Sequence, residues 1–112
     1  MNKVEIMGKV SHLETIYQEI NGENILVLRF ALEVAREGSK TQIDLIPVRV
    51  TGTMAEYVTK DIKNGDKVSI KGRWNVDNVL SPDGEIIRYC TCIPQVLMVQ
   101  ENKQRGDDLL IR

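Results

Sequence analysis

Lys67, Lys71 and Arg73 occupy alternate positions in one run of residues, with Ser69 between them and no acid in the row. In an extended chain, alternate side chains share a face. Cations at that spacing can follow a phosphate backbone, and binding of that kind weakens as salt rises. Arg29, Arg49, Lys3 and Lys9 take comparable alternate positions in other segments. Arginine adds a flat guanidinium that stacks on planar rings and forks onto anions. Lysine and arginine are also common on any solvated sheet face, so the pattern alone leaves both readings open. The aromatic side chains that can stack are few: Tyr17, Phe30, Tyr57, Trp74 and Tyr89.

Composition restrains the electrostatic reading. Fifteen basic and 16 acidic residues give a net charge of −1, whereas a basic surface is the usual footprint of a nucleic-acid binder. Binding then requires the cations to cluster on one side. Catalysis finds little support, and no catalytic residue or cofactor is expected. The chain shows no phosphate-cradling glycine loop, nucleophile elbow or metal-ligand cluster. Its single histidine, His12, makes acid–base schemes awkward. Cys90 and Cys92 stand one residue apart, on one face of a strand. Two ligands fall short of a metal site, and no secretion signal suggests an oxidising compartment. Buried free thiols are the expectation. No apolar run approaches the ~20 residues of a membrane helix, and Met1–Glu5 lacks the apolar stretch of a signal peptide. A soluble, cytoplasmic protein with no membrane partner is expected.

The elements that must position these residues follow from period-2 patterning. Val4, Ile6 and Val10 alternate with Lys3, Glu5 and Lys9. Asn21-Gly22 marks a turn. Next, Leu26, Leu28, Phe30, Leu32 and Val34 form one face, opposite Arg29, Ala31 and Glu33; Phe30 therefore reads as core. A polar loop spans Arg36–Lys40. A third strand runs from about Gln42 to Thr51, where Pro47 implies an edge or a bulge. The period then changes. Thr53 and Glu56 have capping-box spacing, Met54, Ala55, Val58 and Ile62 follow a helix, and Asn64-Gly65 stops it. About ten helical residues are expected. A fourth strand, Lys67–Trp74, points Val68 and Ile70 inward and Lys67, Ser69, Lys71 and Arg73 outward. Trp74 should point opposite to Arg73 unless Gly72 introduces a bulge. After the turn at Ser81-Pro82-Asp83-Gly84, a fifth strand runs from about Ile86 to Val99.

Three strands, one helix and two strands, without a βαβ rhythm, predict an all-β, five-stranded antiparallel barrel of the OB-fold type, with one short helix between strands three and four. One domain over 1–100 and a short polar tail over 101–112 are expected. The tail carries Asp107-Asp108 and an apolar Leu109-Leu110-Ile111.

Residues Met1–Val10, Asn21-Gly22, Ile46–Glu56 and Asn64–Arg73 together resemble bacterial single-stranded DNA-binding proteins, in order and spacing, across roughly residues 1 to 99. The third-strand run is equally similar to the related primosomal replication protein N. The resemblance implies sequence-tolerant binding of single-stranded DNA (RNA being the variant) in replication, recombination or repair, by a homodimer or homotetramer with replication proteins as further partners. It implies a binding face on the outer side of strands two to four, carrying Arg29, Arg49, Lys67, Lys71 and Arg73, joined by Lys3 and Lys9. Trp74 and Tyr89, and more weakly Tyr17, are the available stacking groups.

Two departures matter. Positions where the family stacks bases on aromatic rings fall here on Leu45, Thr51 and near Val79, none of them aromatic. The chain also ends in Arg112 rather than in the family's acidic, phenylalanine-ended tail. Fewer stacking groups imply weaker, steeply salt-dependent binding. The competing reading is a protein-interaction module of a replication or primosome complex, using exposed Leu45, Val79 and Leu80 with little or no DNA binding.

Overall fold

The computed structural model describes residues 1–100; the expected tail over 101–112 lies outside them. Five strands and one helix follow in order: β1 (Val4–Ile20), β2 (Glu23–Ala35), β3 (Ile43–Thr51), α1 (Gly52–Val58), β4 (Lys67–Leu80) and β5 (Ile86–Val99). They close into a barrel with strand order β1-β2-β3-β5-β4. Two of the expected strands are longer than their clearest alternation. β1 continues to Ile20, β4 continues to Leu80, and both run out into hairpin arms. The β1–β2 arm turns at Asn21-Gly22, where Asn21 and Gly22 both have positive φ.

Four of the five neighbour pairings are antiparallel, and the fifth closes the barrel differently. β3 meets β5 in parallel, at Val48↔Cys92. Most of β3 is therefore an edge on its β5 side, and this accommodates Pro47, which has no N–H to donate.

The inward faces match the alternation. Leu28, Leu32, Val48, Val68, Ile70 and Cys92 are fully or almost fully buried, with Val10, Val50 and Phe30 beside them. Removing so many branched side chains from water supplies most of the drive to fold. Gly72 is buried where β4 crosses β5, and a Cβ there would collide with the backbone carbonyl of Ile93. The register irregularity beside it places one extra residue, Gln95, on β5. β4 itself keeps alternating, so Trp74 turns inward and packs partly buried against the core, opposite Cys92.

The helix differs from expectation. It has seven residues rather than about ten and starts at Gly52, with Thr51 as its N-cap and no side-chain cap bond. Thr53 therefore sits inside the first turn, and the Thr53–Glu56 capping box does not form. Ala55 and the following Ile62 close one end of the core. The turn at Asn64-Gly65 then ties to β1. Gly65 N–H donates to Val10 O, and Val10 N–H donates to Asp66 O, each at 2.8 Å.

The cysteines part company. Cys92 is buried and its thiol is pushed up by that burial, whereas Cys90 is exposed. They share a face as the spacing required. However, Cys90 stands opposite Val76, on the β4–β5 arm, where the barrel no longer covers that face.

Candidate nucleic-acid interface

The outer face of β2 and β3 is built by direct register. Arg29 stands opposite Arg49, Ala31 opposite Pro47, and Glu33 opposite Leu45. β1 supplies one wall with His12 and Glu14, and β5 supplies the other with Tyr89 and Thr91. Together they bound a trough of about 520 Å³. Its floor is small and apolar at Ala31 and Pro47. Leu45 and Tyr89 stand exposed at its sides.

The electrostatics of the trough are unbalanced. Like charges directly opposite one another across a sheet repel, and here two guanidiniums are so placed. Glu14 relieves one of them, through an ion pair with Arg29 in which both side chains are about half exposed. Arg49 has no such relief. Its Nε is buried and makes no hydrogen bond among the described residues. Buried polar groups are nearly always paired, so an arginine in this state on a concave face is suited to an incoming anion or base edge.

The sequence-level candidates divide between two sides of the barrel. Arg29, Arg49 and Tyr89 converge on the trough. Lys67, Lys71 and Lys9 do not. β4 lies between β1 and β5, so Lys67 faces Lys9, and Lys71 faces Glu5, on the outer surface of β1, β4 and β5. Lys3 is exposed just before β1. The single outer face across strands two to four, expected from sequence, is thus corrected by the strand order. Arg73 lines neither the trough nor the hollow on the outer surface of β1, β4 and β5; it faces Ile93, and its Nη1 donates to Asn75 Oδ1 at 3.5 Å. Trp74, packed partly buried against the core, does not line the trough. Tyr17 is exposed on the β1–β2 arm and Tyr57 on the helix, where Lys60 lies 5.8 Å above its ring.

Sequence reasoning missed His12, Glu14 and Thr91. Alternation in β1 breaks beyond Val10, because a bulge lies between Ser11 and Glu14 and His12 adopts a φ of 55°. Among the described residues no group of His, Cys, Asp and Glu is arranged to hold a metal ion, and no helix is long and apolar enough to cross a membrane.

The model of the single-strand binding protein family matches residues 1–93. The chain belongs to that family. Membership makes it a binding protein rather than an enzyme. The single-stranded DNA-binding protein 1 of Clostridium acetobutylicum is 32% identical over 87 residues, covering 75% of this chain and 79% of that protein. The crystal structure of a mitochondrial single-stranded DNA-binding protein from S. cerevisiae superposes with a TM-score of 0.69, across 89% of this chain and 95% of that one. At 14% identity, that likeness speaks for the fold. In an OB barrel, the second and third strands with the adjoining loops form the usual face for oligonucleotides. The trough occupies that place in this family member.

Proposed function

We propose that the chain binds single-stranded DNA in a sequence-tolerant manner, with the trough over β2 and β3 as its site. The observation that carries this reading is the Arg29–Arg49 pair, two cations held face to face with Arg49 Nε left unpartnered among the described residues. A phosphate between them relieves their repulsion and accepts charge-assisted hydrogen bonds from the guanidiniums. Tyr89 offers a ring for stacking, while Leu45 offers only apolar contact where a ring would hold a base more firmly. Binding is consequently phosphate-led and strongly salt-dependent. The family membership disfavours the alternative of an interaction module without DNA binding.

Anisotropy of a fluorescently labelled oligo-dT tests this. A rise on adding protein at low salt, fading as salt increases, is expected. No change at low salt would overturn the proposal, and a labelled oligo-U of equal length reads the preference for DNA over RNA.

The opposite face supports self-association. Met7, Val96 and Met98 are about half exposed along the outer side of β1, β4 and β5, around an apolar hollow of about 400 Å³. We read this face as the contact of a homodimer or homotetramer, leaving the trough open. A role in replication, recombination or repair, with proteins of those processes as partners in the cytoplasm, accompanies the proposal.

A further inference from the structure

β1 reaches the trough only through its bulge. Before the bulge Ser11 faces Ala31, and after it Glu14 faces Arg29, so three steps along β1 match two along β2. The irregular backbone is held in place from outside the strand: Leu13 N–H donates to Asn64 Oδ1 at 3.0 Å. A shift of one residue exchanges the two faces of a strand. In an unbulged register, Leu13 would face Arg29 and Glu14 would fall on the face shared with Leu28. With the bulge, Leu13 packs against the core and Glu14 moves out to the trough wall.

The acid placed there is the same charge as the ligand. Glu14 lines the trough together with Arg49 and holds Arg29 in an ion pair. Half-exposed pairs of this kind are weak and exchangeable. We propose that Glu14 is a resident competitor for DNA phosphate: in the free protein it occupies Arg29, and a phosphate must displace it. This rests on the trough being the DNA site. Glu14 then limits affinity and flattens the salt response, because one of the two trough cations is already neutralised before DNA arrives. Removing its charge exposes Arg29 to solvent counterions, which DNA then releases.

The test compares the full chain with Glu14→Gln, Arg29→Gln and the double variant, by anisotropy of labelled oligo-dT across a salt series. Melting followed by circular dichroism checks that each variant is folded. Glu14→Asp keeps the charge on a shorter arm and is expected to behave as the parent or between it and Glu14→Gln. Glu14→Gln should bind about five-fold tighter at low salt, with a salt slope steeper by about 0.7. The gain should vanish when Arg29 is also replaced. Unchanged or weaker binding by Glu14→Gln, while the parent binds, would refute the competitor role, as would a full gain in the Arg29→Gln background. If even the parent leaves the probe unmoved, the trough reading itself fails and the competitor role falls with it.

Discussion

The two outer faces of this barrel carry cations in opposite ways. On β2 and β3, Arg29 faces Arg49 across a concave surface, and one guanidinium nitrogen is buried without a partner among the described residues. On β1, β4 and β5, Lys71 stands inside an apolar hollow lined by Met7, Val96 and Met98, between Val96 and a carboxylate, Glu5. A file of basic residues in sequence therefore does not locate a binding site. Lys67 facing Lys9 shows that opposed like charge occurs on both faces; confinement and a missing hydrogen bond distinguish the first from the second.

The largest expected effect removes both faces together. Leu32→Ala deletes a fully buried side chain at the centre of the core and should cost about 2–5 kcal/mol of stability, read as a lowered denaturant midpoint. Next comes the pair of substitutions that separates the faces. Arg49→Ala should weaken oligo-dT binding about ten-fold, while Lys71→Ala changes it by less than about two-fold; equal losses would mean that the two faces do not differ in DNA binding. Met98→Glu sharpens it from the other side. Sedimentation velocity should show a smaller species, with the DNA affinity of each barrel largely kept.

The smallest effect concerns the cysteines. A thiol reagent should modify Cys90 quickly and reach Cys92 only on unfolding. Because burial raises the Cys92 thiol above its ordinary range, the unfolded chain loses that proton first as pH rises. Stability should therefore decline with pH above the ordinary thiol range and be insensitive to this group below it. Chemical melts from neutral to alkaline pH, with and without Cys92→Ala, would expose the difference.

Much of the barrel was legible from alternation alone. Leu28, Phe30, Leu32, Val48, Val68 and Ile70 show the inside of each strand directly, and Asn21-Gly22 marks the first turn. The site was less legible, for two physical reasons. Alternation separates in from out but does not say which outer face a strand joins; that depends on β4 lying between β1 and β5, a long-range pairing. The bulge at Ser11–Glu14 has no local residue signature, yet it decides that Glu14 rather than Leu13 borders the trough. Trp74 was readable as inward, since the extra residue falls on β5 and leaves β4 in phase. Cys90 is exposed rather than buried, because period 2 does not reveal where the arm leaves the barrel.

Backbone amide chemical shifts on titration with oligo-dT report, residue by residue, whether DNA lies over β2 and β3. The largest changes should map to Arg29, Ala31, Leu45, Arg49 and Tyr89. A map centred instead on Lys9, Lys67, Ser69 and Lys71 would put the DNA on the opposite face and overturn the assignment.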